Sequence, residues 1–218
     1  MKMIASSTKE KIMISAIYLF NTKGYHGTAI RDISKRAKVN ASNISYHFNG
    51  KQGLLEECFT RFFEPYLAIL EKEVYQLDIE RADVLLLSAI KKVLHFQSQQ
   101  YQLARLVWRE VSVDSQVVRE IFSSYLMKER YYLKAFFEKG MQQGIFSPFP
   151  VSYAVIHLKS LLSMPYINQQ YMEEVWNLYT RERLFTERYF VTIQQWLTNV
   201  FIQPNLLSKD RGDMIVNR

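Results

Sequence analysis

The chain has 218 residues, is 48% hydrophobic, and contains seven Gly and five Pro. That length can bury a sizeable core in one or two domains, and so few turn-forming residues exclude a sandwich or barrel built on many turns. A single cysteine, Cys58, rules out an internal disulfide and fits a reducing cytoplasm. The formal charge of +7 is unevenly spread: residues 1–51 hold nine Lys/Arg against two acids, and residues 52–218 hold 19 of each. Such asymmetry predicts that one end meets a polyanion.

In chain order, Ser7-Thr8-Lys9-Glu10 has the pattern of a capping box: a hydroxyl with Glu three residues on. Ile12, Ala16, Leu19 and Phe20 then recur at helical spacing, and Gly24 marks the stop. Thr28 is the expected N-cap of a second helix with an apolar side of Ile30, Ile33 and Ala37. A turn is expected at Lys38 to Asn40. A very short third helix follows from Ala41 to Phe48, with Ile44 and Phe48 inward. Asn49-Gly50 ends it, and a fourth helix starts near Lys51 and runs through Leu67. Further helices are expected at 81–101, 102–111, 115–143, 150–166, 171–178 and 183–202. Breakers separate them at Val113-Asp114-Ser115, Gly144 and Pro148-Phe149-Pro150, and Pro165 should kink or end its helix. The fold class is therefore all-α. Residues 1–52 are expected to form a small basic helix-turn-helix head, 53–204 a larger neutral helical body, and 205–218 a flexible tail.

The head carries the chemistry. A helix-turn-helix needs two helices fixed by a small core, with the second free on one side to enter the major groove. Ile30, Ile33, Ala37, Val39, Ile44 and Phe48 supply the core. The opposite face of the third helix shows Ala41, Ser42, Asn43, Ser45, Tyr46 and His47. Asn can pair with adenine, Ser accepts several bases, and an Ala methyl can meet a thymine methyl. Tyr46, His47 and Lys51, at the helix end, suit phosphate oxygens, and Lys51 also opens the fourth helix, where free N–H groups favour an anion. No GxSxG, P-loop or HExxH is present, so no enzyme is expected. No His/Cys pair has metal-ligand spacing, so neither metal nor cofactor is expected. The first residues, MKMIASSTKEK, have no apolar core of signal-peptide length, so no export signal is expected, and no uncharged apolar run approaches the ~20 residues of a membrane span. A cytoplasmic, nucleoid-associated protein with no membrane partner is expected.

Residues 8–60, with LFNTKGYHGTAIRDIS, the turn KRAKVN and the end pattern ISYHFNGKQGLLEE, resemble the head of the tetracycline-repressor (TetR) family of bacterial regulators. The resemblance implies a body that dimerises and double-stranded DNA sites made of two pseudo-palindromic half-sites. It also implies that Thr28 and Arg31 touch the DNA backbone, that Ala41, Ser42, Asn43 and Ser45 face bases, and that Tyr46, His47 and Lys51 grip phosphate. Many members have Gly in the turn where this chain has Lys38 or Asn40, a mild departure because Asn tolerates a left-handed conformation.

In that family the body often binds a small ligand. Aromatic and methionine residues such as Trp108, Phe122, Tyr131, Phe136, Met141 and Tyr166 suit either an apolar ligand pocket or plain core. The stretch 103–130, with 157–166, resembles the RefZ-type members of the family, proteins of spore-forming bacteria associated with origin-proximal DNA sites and septum placement. On that likeness the output is a contact with the tubulin-like division protein through Arg105, Arg109 and Arg119. The alternative is a ligand-responsive repressor of neighbouring genes. The resemblance also implies dimerisation through the last two long helices, 150–166 and 183–202, the second of which carries more apolar surface than one core needs.

Overall fold

The computed structural model describes residues 7–113 and 116–202. The expected tail at 205–218 and the Asp114-Ser115 break lie outside the described residues. Nine α-helices follow in order among the described residues: α1 (Thr8–Lys23), α2 (Ile30–Ala37), α3 (Ser42–Phe48), α4 (Lys51–Val74), α5 (Ala82–Gln99), α6 (Tyr101–Val113), α7 (Gln116–Gln142), α8 (Val151–Ile167) and α9 (Arg183–Phe201). A single π-helical turn spans Tyr171–Val175, where a longer helix was expected. Among the described residues there is no strand, only an isolated bridge between Phe146 and Ile202.

Among the described residues, compactness groups those up to Pro65 with those of 100–124, and Tyr66–Gln99 with those of 125–202. The first unit thus contains α6 as well as the expected head. Its core joins Ile12, Ala16 and Phe20 of α1 to Ile33 of α2 and Ile44 of α3, all at most 1% exposed. It continues through an aromatic cluster in which Phe62 stands edge-on to Trp108 at 5.4 Å and Phe63 lies 4.9 Å from Phe122. Each such ring buries enough apolar surface to contribute about 1.5–3 kcal/mol. Polar ties fix α1 to α6: Asn21 Nδ2 donates to the Gln102 carbonyl at 2.7 Å, and Arg109 Nη1 donates to the Asn21 carbonyl at 2.9 Å.

The second unit packs α5 against α9. Its core includes Leu86, Ala89 and Val93 of α5, Phe136 and Phe137 of α7, Leu158 and Leu162 of α8, and Ile193 and Leu197 of α9. Glu129, 2% exposed, accepts a 2.7 Å bond from the Tyr66 hydroxyl and pairs with Lys159, so its buried charge is compensated.

Helix α8 runs through Pro165 and ends two residues later at Ile167, close to the expected end at 166. Proline at this position leaves the Leu161 carbonyl without its helical donor. The Tyr189 hydroxyl of α9 donates to that carbonyl at 2.8 Å, which removes the penalty of leaving it unbonded. Burial pushes the Tyr189 phenol up to about 12, so it stays a donor.

Candidate nucleic-acid interface

The head is assembled from its helix ends. The Ser7 hydroxyl accepts from the Glu10 amide at 3.2 Å, half of the expected capping box. The Glu10 carboxylate instead accepts from Arg61 at 2.7 Å, while Glu57 accepts from Arg61 and pairs with Lys9 at 3.1 Å. These contacts tie α1 to α4. At the turn between α2 and α3, Lys38 adopts the left-handed conformation (φ 55°, ψ 46°), and the Val39 amide bonds back to the Ser34 carbonyl at 3.1 Å. The left-handed residue is therefore Lys38, not Asn40. Asn40 instead caps α3: its side-chain oxygen accepts from both the amide and the hydroxyl of Ser42 at 3.0 Å.

Helix α3 has seven residues, with Ile44 fully buried and Phe48 5% exposed. Its other side is open. Tyr46 is 83% exposed, Ser42, Ser45 and His47 are exposed, and Ala41 and Asn43 are half-buried. The His47 ring meets Tyr46 edge-on at 5.0 Å. Arg31, in the first turn of α2, is exposed. The end of α3 is set by Asn49 (φ 55°) and by Gly53 of α4, where a Cβ would lie 1.8 Å from the Phe48 carbonyl oxygen. Only glycine permits this approach.

Two expected contact residues take different positions. Thr28 is 1% exposed, and its hydroxyl lies 2.8 Å from the Gly24 carbonyl and 3.2 Å from that of Leu19. It therefore closes the α1–α2 connection, its side chain is withdrawn from any DNA, and Ala29 takes the N-cap position of α2. The Asp32 carboxylate caps that helix by accepting from the Ala29 amide. A hydrogen bond from Lys23, then the Ala29 amide, hold this carboxyl below the usual aspartate range. Lys51 is half-buried; its ammonium donates to the carbonyls of Tyr25 and Thr28, both at 3.1 Å, and sits 4.5 Å from the Tyr25 ring centroid. Its first role is to pin the same connection to the start of α4.

The arginine set also divides. Arg119 is exposed and Arg105 half-buried, while Arg109 is engaged with the Asn21 carbonyl inside the first unit. Cys58 is fully buried, and burial pushes its thiol up to about 12, which makes it inert near neutrality. Among the described residues no cluster of His, Cys, Asp and Glu is arranged to hold a metal ion, and no helix is long and apolar enough to cross a membrane.

Sequence reasoning missed Asn40, Gly53 and Asn21 as determinants. The first was legible, since Asn two positions before Ser at a helix start is a capping pattern. The other two depend on which backbone comes near, which no local pattern records.

This geometry is a short, supported helix with an open hydrogen-bonding face in a basic head, the arrangement that enters a major groove. Residues 12–58 match the family described as bacterial regulatory proteins, tetR family. The chain is 42% identical over 195 residues to the probable HTH-type transcriptional regulator YttP of Bacillus subtilis (strain 168), covering 89% of this chain and 94% of that protein. The crystal structure of the TetR-family regulator PfmR from Thermus thermophilus superposes with a TM-score of 0.72 at 18% identity, covering 87% of this chain and 97% of that one. A structure of AibR in complex with isovaleryl coenzyme A and operator DNA gives a TM-score of 0.70 at 15% identity, covering 89% and 98%. The last two show the shared fold; the near-full-length likeness to a transcriptional regulator shows more, and the chain belongs to the tetR family of bacterial regulatory proteins, DNA-binding regulators of transcription.

Proposed function

We propose that the protein is a homodimeric, ligand-responsive repressor that reads pseudo-palindromic operators near the genes it controls. The observation that carries the DNA reading is the open face of α3: Ser42, Asn43 and Ser45 meet base edges, and Tyr46, His47 and Arg31 hold phosphate. Helices α8 and α9 support dimerisation. Tyr153, Ile156 and Met164 on α8, and Leu184 and Val200 on α9, are 40% to 64% exposed, an apolar surface that a second copy would cover. A two-fold pair sets its reading helices about 34–36 Å apart, one DNA turn. The complexes of AibR with isovaleryl coenzyme A and of a regulator from Saccharomonospora viridis with choline support a small-molecule effector.

The RefZ-type reading differs in output, and the comparisons lend no support to a division partner. Its arginine surface is also smaller than expected, because Arg109 is engaged internally. Genome-wide chromatin capture of the tagged protein, with expression profiling of its deletion, separates the two. Sharp palindromic sites upstream of genes that change expression are the expected result. Sites flanking the replication origin with no expression change would replace the repressor by the division-linked reading. Asn43→Ala should relax sequence preference at one base position by about 1–3 kcal/mol in binding titrations against operator variants.

A further inference from the structure

A cleft of about 1060 Å³ lies between α5 and α9 in the second unit. One wall is a stripe of α5: Lys91, Lys92, His95, Ser98 and Gln99, spaced as one helical face. The other is the first two turns of α9, with Arg183, Thr186, Glu187, Phe190 and Val191, preceded by Arg181. Buried Leu94 and the sides of Phe190 and Val191 make part of the lining apolar.

The lining is basic by residue count, with two of its cations ion-paired. Four Lys/Arg side chains face it, with Glu187 as the only carboxylate among the lining residues. Glu187 holds Arg183 at 2.8 Å, and Lys92 is paired with Glu73. The Lys91 ammonium sits 5.6 Å from the Phe190 ring centroid, a cation placed beside an apolar surface. The N-terminus of α9 opens at the same place. Its N-cap residue, Glu182, makes no side-chain capping bond, so the first amides and the positive end of the helix dipole add to the field of the cations. A volume of this size matches sites for small organic ligands, which are apolar with a few convergent polar groups.

We infer that this cleft binds a small amphiphilic organic anion, with a phosphate or carboxylate head against Lys91, Arg181, Arg183 and the α9 N-terminus, and an apolar tail along Leu94, Phe190 and Val191. The aromatic and methionine residues named from sequence do not line it. This inference rests on the ligand-responsive reading above and gives it a place and a chemical class.

Isothermal titration of the full-length protein with octyl phosphate, octanoate, inorganic phosphate and 1-octanol, without DNA, tests the site. Octyl phosphate or octanoate should bind at least about tenfold more tightly than either inorganic phosphate or 1-octanol, and the tighter of the two identifies the head group. The double variant Lys91→Glu/Arg183→Glu should lose about tenfold or more in affinity while its thermal midpoint is retained. The variant Val191→Ser keeps the cations and should weaken the amphiphiles without changing inorganic phosphate. Binding of 1-octanol or inorganic phosphate as tight as that of octyl phosphate, no binding of either amphiphile, or equal affinity in wild type and charge-reversed protein would overturn the assignment. Operator affinity with and without octyl phosphate is a separate readout: an unchanged operator affinity with intact cleft binding rejects the effector role and leaves the site.

Discussion

Lys51 and Tyr46 were both expected on phosphate, and the structure separates them. Lys51 bonds two carbonyls of the α1–α2 connection, whereas Tyr46 is among the most exposed large side chains of the protein. Lys51→Met removes two charge-assisted bonds and should cost about 1–3 kcal/mol, visible as a lower thermal midpoint. Tyr46→Ala should leave that midpoint unchanged, weaken all DNA sequences alike, and shallow the salt dependence of binding by about one unit of slope. Equal midpoints for both variants would return Lys51 to the DNA surface alone. The residue types were legible in the sequence; which of them had already found a partner was not. Thr28 and Arg109 teach the same lesson, since a hydroxyl or guanidinium engaged within the protein reads in sequence like a free one.

Among the elements, two contacts carry more than their local sequence suggests. The end of α3 approaches α4 so closely that a methyl group on Gly53 would meet the Phe48 carbonyl at 1.8 Å. Gly53→Ala should therefore displace the reading helix, cost about 1–3 kcal/mol or more, and abolish operator binding in mobility-shift assays. Wild-type binding by this variant would show that α4 yields instead. In the body, the Leu161 carbonyl that Pro165 leaves without a helical donor, in the last turns of α8, is bonded by Tyr189. Tyr189→Phe deletes only that donor and should cost about 1–3 kcal/mol by chemical denaturation, with reduced helix content near Pro165 by hydrogen exchange. An unchanged midpoint would mean that another donor reaches Leu161. Proline marked where the helix ends, and only the tertiary structure brought the neighbouring helix's hydroxyl to the carbonyl it frees.

For the whole molecule, the exposed apolar surface of α8 and α9 is the kind that a second copy covers. Sedimentation equilibrium should show a dimer, and the pair Ile156→Asp and Val200→Asp should give a monomer that binds a full operator at least about tenfold more weakly. A monomeric wild-type protein would remove the two-half-site reading. By itself the sequence determined the helical class, most element bounds and the basic reading head, because these follow from periodicity, caps and charge within a few residues of one another. Tertiary structure alone decided that α6 packs with the head, that Thr28, Lys51 and Arg109 act inside the protein, and that the cations of α5 and α9 share one cleft. Each of these joins residues far apart in the chain, and a local pattern carries no record of which distant backbone or charge will come within bonding distance.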